Sequence, residues 1–191
     1  MELLPLLTKE YSPEEYLALE VESDTRSEYR DGEIVEMTGG TPAHNEIVGD
    51  LLFLLKTALR GKAYSVFVTD QRLWIPDRNT HCYPDLMVVQ RPLVLLAGRK
   101  DTVTNPLFIA EVLSDSTKAY DRDGKFAAYR SIDTFQEYLL IDQYRIYAEQ
   151  YIRQSTSQWL FIEHHGADAQ ISLSSIGVEI SLADLYGNVE I

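Results

Sequence analysis

Two short apolar segments that each carry a single acid limit the folds open to this chain more than any other feature. Tyr83-Pro84-Asp85-Leu86-Met87-Val88-Val89 and Phe108-Ile109-Ala110-Glu111-Val112-Leu113 both read as strands. A basic stretch, Lys118 to Arg130, then reads as a helix carrying Lys125. A carboxylate inside an apolar strand is costly to desolvate unless a metal, a cation or hydrogen bonds compensate it. Two such acids on consecutive strands point to one shared partner, and a divalent cation is the simplest candidate.

At 191 residues the chain can bury one sizeable core, so a single domain spanning 1–191 is expected. Its 45% hydrophobic and 25% charged residues match a globular protein rather than a disordered or fibrous one. The run Met1-Glu2-Leu3-Leu4-Pro5-Leu6-Leu7 lacks a basic leader and is broken by proline, which argues against a signal peptide. No later stretch is long enough to span a bilayer, so a cytoplasmic protein with no membrane partner is expected. Cys82 is the one cysteine, which excludes an intrachain disulfide and a cysteine-based zinc site. A net charge of −13 argues against a broad nucleic-acid-binding face. The balance near the acids is different, because Glu111, Asp115, Asp121 and Asp123 are matched by Lys118, Arg122, Lys125 and Arg130. Charges more than ~8 Å apart are largely screened at physiological salt, so a local patch can still meet phosphates.

The remaining elements follow from local signals. Ser12-Pro13-Glu14-Glu15 opens a helix with a capping box and proline in the first turn. Asp31-Gly32 marks a hairpin over Ser27 to Met37. Thr41-Pro42 starts a second helix running to about Arg60, with Gly61 as its stop and Ile47, Val48, Leu51, Leu52, Leu55 and Leu59 as its buried stripe. Ala63 to Ile75 reads as one strand, and a loop around Gly98-Arg99-Lys100-Asp101 joins the two acid-bearing strands. Gln136 to Asp142, Arg145 to Arg153 and Gln158 to His165 read as three more strands, and Ile171 to Ile180 as a final extended segment closing an edge. The pattern is a mixed α/β or α+β domain with antiparallel C-terminal strands.

Strand alternation puts Asp85 on the face of Tyr83 and Met87, and Glu111 on the face of Ile109 and Leu113. If the strands are neighbours, ~4.8 Å apart, both carboxylates can reach one ion at ~2.1 Å. Mg2+ or Mn2+ suits two hard carboxylates that leave positions for water and a phosphate oxygen. A lysine beside the ion stabilises charge developing on the phosphate or orients the attacking water. Asp, Glu and Lys together suit phosphodiester hydrolysis.

Pro84-Asp85, with Glu111 after 25 intervening residues, resembles the PD-(D/E)XK nuclease superfamily. A wider pattern resembles the Uma-two-type restriction endonucleases. It comprises Arg30-Asp31-Gly32-Glu33-Ile34-Val35-Glu36-Met37, His44, Tyr83-Pro84-Asp85, Glu111-Val112-Leu113-Ser114, Asp121 through Lys125 to Tyr129, and Glu137-Tyr138. This similarity runs from the first helix to Leu182-Ala183-Asp184-Leu185-Tyr186. It implies a restriction-endonuclease-like core, magnesium dependence, DNA as substrate and often a homodimer. In the superfamily's usual motif the lysine lies two residues after the glutamate, and here Leu113 occupies that place. The resembling family takes its lysine from the following helix, at the position of Lys125. Residues 122, 125 and 129 share a helical face, so Arg122 and Tyr129 are expected to flank Lys125. Asp121, four residues earlier, offers an ordinary helix ion pair instead.

The sequence therefore nominates Asp85 and Glu111 as metal ligands, Lys125 as the phosphate- or water-contacting group, and His44 as an auxiliary residue. For His44 three roles stand open: binding phosphate, assisting a proton transfer, or holding a ligand carboxylate. The competing reading of Glu111 is a carboxylate paired with a structural arginine. Glu33 and Glu36 are expected to be exposed, and Cys82 to pack on the face opposite Asp85. His164 and His165, adjacent on a strand, point to opposite faces, and His81 has no spacing partner. Tyr147 and Tyr151 fit strand packing better than base stacking. Two rivals remain to an endonuclease acting on DNA. One is an inactive nuclease fold used as a binding module, and the other a metal-dependent nuclease acting on RNA.

Overall fold

The computed structural model describes residues 9–191, and the reading of Met1 to Leu7 lies outside them. Helix α1 (Pro13–Glu22) starts on the capping box, with Ser12 Oγ accepting from Glu15 N–H and the Glu15 carboxylate from Ser12 N–H. The hairpin follows as β1 (Ser27–Arg30) and β2 (Glu33–Glu36), with Arg30 opposite Glu33. Asp31 and Gly32 take φ of 45° and 99°, as a two-residue turn between twisted antiparallel strands requires. Helix α2 (Pro42–Ala58) is capped by the Thr41 hydroxyl, and Ile47, Val48, Leu51, Leu55 and the cap residue Leu59 are buried. Leu52 is only half-buried.

Ala63 to Ile75 is two strands rather than one. β3 (Tyr64–Val68) and β4 (Arg72–Ile75) lie in different sheets, and the chain turns between them at Thr69, with φ of 33°. A continuous β-type run carries no mark of where a chain leaves one sheet for another, so this break was not legible. β5 (Thr80–Cys82), β6 (Leu86–Gln90), β7 (Thr102–Val103) and β8 (Pro106–Leu113) follow. The basic helix has three parts: α3 (Lys118–Tyr120), a π-helical turn (Asp121–Lys125) and α4 (Phe126–Tyr129). β9 (Glu137–Asp142), β10 (Tyr147–Arg153) and β11 (Trp159–His165) stand where expected. The expected closing segment is instead a separate hairpin, β12 (Gln170–Leu173) and β13 (Val178–Ser181), leading into α5 (Leu182–Leu185). Between its strands Gly177 takes φ of 61°, which glycine adopts without strain.

The main sheet runs β11-β10-β9-β8-β6-β3, parallel only between β8 and β9, so the expected mixed α+β architecture is what forms. One face, including Leu86, Val88, Ala110 and Val112, packs on α2, the β12–β13 hairpin and α5. The opposite face, including Met87, Ile109, Leu113 and Leu140, packs on Leu73, Ile75 and Cys82 of the second sheet and on Ala128 and Tyr129 of α4. That second sheet runs β2-β1-β5-β4-β7. Among the described residues no helix is long and apolar enough to cross a membrane.

Candidate active site

The acid pair follows from strand register. β6 and β8 are antiparallel neighbours with Leu86 opposite Ala110, so one step outward Asp85 faces Glu111. Asp85 N–H donates to Glu111 Oε2 at 3.3 Å, and Val112 N–H donates to Asp85 Oδ2 at 2.8 Å. Each carboxylate is thus held by the other strand's backbone. The Tyr129 hydroxyl donates to Glu111 Oε1 at 2.6 Å, fixing the buried glutamate from the helix side. The competing arginine partner for Glu111 is not what is found; its cation is Lys125.

Two helices complete the cluster. Lys125 Nζ lies 3.1 Å from Glu111 Oε2, 3.1 Å from Asp121 Oδ1 and 4.0 Å from Glu28 Oε1. The ion pair to Asp121 and the reach to Glu111 therefore coexist. Tyr129 flanks Lys125 as expected, but Arg122 does not; it turns to β10 and holds Glu149 at 2.8 Å. The π-helical turn explains this, because its wider turn takes Arg122 off the face that an α-helix would give residues 122, 125 and 129. From the first turn of α2, His44 Nε2 sits 3.1 Å from Asp85 Oδ2, so of its expected contacts the one to a carboxylate is the one found. The Thr41 hydroxyl also bonds Gln143, whose amide donates to the Leu113 carbonyl at 2.9 Å, tying the start of α2 to the end of β8.

Glu28, His44, Asp85, Glu111, Asp121 and Lys125 line a cavity of about 740 Å³ that also takes in Arg26, Arg30, Tyr120 and the glycines of the 39–40 loop. At its floor four carboxylates, Glu28, Asp85, Glu111 and Asp121, meet three basic side chains, Lys125, His44 and the Arg30 that holds Glu28. Burial pushes the Glu111 carboxyl well above its usual range, against the pull of Lys125. Burial would also raise Asp85, but His44, Lys125 and the Val112 N–H outweigh it and hold that carboxyl below its usual value. For Lys125, burial opposes the charge while Glu111, Glu28, Asp121 and Asp85 favour it, and the amine stays protonated, well above its ordinary pKa. His44 is likewise raised, the hydrogen bond and charge of Asp85 overcoming burial.

A buried excess of carboxylate over cation suits a bound divalent ion. Among the described residues no three His, Cys, Asp or Glu side chains meet as a ready-made cage. Asp85 and Glu111 are the two adjacent carboxylates that would hold such an ion.

Glu28 is the member the sequence reading missed. It is 4% exposed on β1, where Arg30 grips Glu28 Oε2 through Nε (3.1 Å) and Nη2 (2.6 Å). The only signal available was its place between Arg26 and Arg30 at strand spacing. Glu33 and Glu36 are exposed as expected. Cys82 is a buried packing residue, but it packs with Met87 and Leu113, its Sγ 3.8 Å from the Tyr129 hydroxyl. Strand alternation does not carry from Asp85 back to Cys82, because Tyr83, Pro84 and Asp85 are not part of a regular strand. His164 bonds Gln150 and the His165 ring lies tilted against Tyr147, each apart from the other.

A mixed sheet that brings two acids from adjacent strands together beneath a lysine defines a restriction-endonuclease-like fold. A putative nuclease belonging to DUF820 from Anabaena variabilis ATCC 29413 has the same fold, with a TM-score of 0.76 over 93% of this chain and 98% of its own, at 17% identity. The chain belongs to the Uma2 family, described as "Putative restriction endonuclease", whose model matches residues 13–183. Two uncharacterized proteins of Synechocystis sp. are relatives. The protein sll1609 is 39% identical over 167 residues, 87% of this chain and 94% of its own. The protein slr1290 is 33% identical over 177 residues, 92% of this chain and 90% of its own.

Proposed function

We propose that this chain is a magnesium-dependent endonuclease that hydrolyses DNA phosphodiester bonds, with manganese as an alternative ion. The observation that carries the reading is the contact of Lys125 Nζ with Glu111 Oε2 at 3.1 Å, directly beside Asp85. A helix lysine thereby occupies the role left vacant by Leu113. Asp85 and Glu111 hold the ion, which when bound polarises the phosphate and lowers the pKa of a coordinated water. Lys125 carries a fixed positive charge to the cleft floor, where it meets charge developing on the phosphate oxygens. His44 orients Asp85 through Nε2, and Tyr129 orients Glu111 through its hydroxyl. The shared family description and the nuclease-like fold support the same reading.

The test is cleavage of supercoiled duplex DNA, single-stranded DNA and RNA in parallel, with Mg2+, Mn2+ or EDTA. Cleavage of DNA that needs the ion and disappears in Asp85→Ala and Lys125→Met is the expected result. Cleavage that survives both substitutions would overturn the site, and RNA cut in place of DNA would overturn the substrate.

A further inference from the structure

Leu113 is buried on the sheet face that α4 covers, so a cation for the acid pair must come from elsewhere. We propose that the π-helical turn is the device that delivers it. In this scheme Gly124, Tyr120 and Arg30 are positioning residues for Lys125. The inference rests on the proposed role of Lys125 only for its consequence in catalysis.

The Tyr120 ring lies across the helix backbone at Gly124. A methyl group on Gly124 would stand 2.4 Å from Tyr120 Cε2 and 2.5 Å from Cδ2, distances no side chain tolerates. Glycine there is a steric requirement of the ring's position rather than of backbone φ. The Arg30 guanidinium sits over the same ring, 3.7 Å from its centroid, while its Nε and Nη2 hold Glu28. The second Glu28 oxygen faces Lys125 Nζ at 4.0 Å. The contacts therefore close on themselves: Lys125 to Glu28, Glu28 to Arg30, Arg30 to Tyr120, and Tyr120 to the backbone at Gly124, one residue from Lys125. Within the turn, the Asp121 carbonyl accepts from the buried Tyr138 hydroxyl at 3.0 Å. A side chain at Gly124 must push the ring away or reshape the turn, and either movement takes Lys125 off Glu111.

The test uses the full chain and needs no catalysis. Lysines of the native protein are acetylated briefly with an acylating reagent, and the modified sites are mapped by peptide mass spectrometry. Lys56 and Lys62, both exposed, serve as internal references. In the wild type Lys125, ion-paired and with 11% of its side chain exposed, is expected to be strongly protected. Gly124→Ala is expected to raise its acylation roughly tenfold or more, the scale of an overpacked site, with Lys56 and Lys62 unchanged and the circular dichroism spectrum retained. Adding Gly124→Ala to Tyr120→Ala is expected to change Lys125 labelling by less than about twofold, because the clashing ring is gone. A general loss of stability would not be cancelled in this way. Should Gly124→Ala fail to fold, Arg30→Lys replaces it as the probe, removing the planar stack and the two-point grip on Glu28, and raised Lys125 labelling is again expected. Lys125 as protected in these variants as in the wild type overturns the proposal, as does an undiminished Gly124→Ala effect in the Tyr120→Ala background. A wild type that cuts no nucleic acid defeats the proposed function yet leaves these labelling outcomes readable.

Discussion

Acid should destabilise this protein, and one buried residue outside the cleft makes a contribution that can be isolated. His81 on β5 is fully buried, its ring 4.2 Å from that of Trp74, 5.4 Å from Tyr16 and 6.2 Å from Tyr29. Neither ring nitrogen has a hydrogen-bond partner. Burial, reinforced by the Arg72 charge, lowers its pKa from 6.5 to about 3. The unfolded chain takes up a proton near the ordinary value, while the folded chain resists it to much lower pH. The stability owed to a neutral His81 is therefore complete above the ordinary pKa, falls as pH drops, and levels off near the folded value. At 1.36 kcal/mol per unit, the loss is about 2 kcal/mol at pH ~5 and approaches about 5 kcal/mol in full. His81→Phe keeps an aromatic ring and removes both the titration and the two unpartnered nitrogens. Urea unfolding of the two proteins between about pH 7.5 and pH 4.5 isolates this residue, since every other titrating group is common to both. The variant's stability relative to wild type should rise by about 2 kcal/mol from pH ~7 to pH ~5. A difference that stays flat over that range would refute the reasoning, because the native ring would then be charged or partnered.

Mg2+ or Mn2+ at about a hundred times its dissociation constant should add about 2.7 kcal/mol of stability, read as a thermal shift reversed by EDTA and absent in Asp85→Asn. Tyr129→Phe removes the 2.6 Å hydrogen bond to Glu111. It should cost about 1.5–3 kcal/mol in urea unfolding and weaken Mn2+ binding by about 10- to 100-fold in calorimetry. A Cβ at Gly40 would lie 2.8 Å from His44 Nδ1. Gly40→Ala should therefore displace His44 from Asp85 and slow DNA cleavage by roughly ten- to a hundredfold with little change in melting temperature.

What could be read from the sequence was what depends on short range. The Ser12–Glu15 cap and the Asp31-Gly32 turn are each decided within a few residues, and both formed as read. Each acid was legible because it interrupts a short apolar run; that β6 and β8 lie side by side, with Asp85 against Glu111, is set by the fold. The failures lie where the decision is tertiary. Nothing local marks Thr69 as the point where the chain leaves the main sheet. The neighbouring Arg26 and Arg30 do not by themselves mark Glu28 as a member of the site, because that depends on Lys125, 97 positions away. The flanking role expected of Arg122 assumed an uninterrupted α-helix, and the π-helical turn removed it.

The place of the lysine follows from what covers β8. Glu111 and Leu113 point to the face on which α4 packs, and Tyr129 from that helix already holds one Glu111 oxygen. A lysine at position 113 would need its charge buried beneath the covering helix, among Met87, Ala128, Tyr129 and Leu140. A lysine on the covering element also loses water, but Glu111, Asp121 and Glu28 around its amine offset that cost, and 11% of the side chain stays exposed. The element that seals the apolar face is then the same one that supplies the cation. Substitutions that loosen the packing of Ala128 or Tyr129 should consequently reach the site through Lys125 before they unfold the sheet.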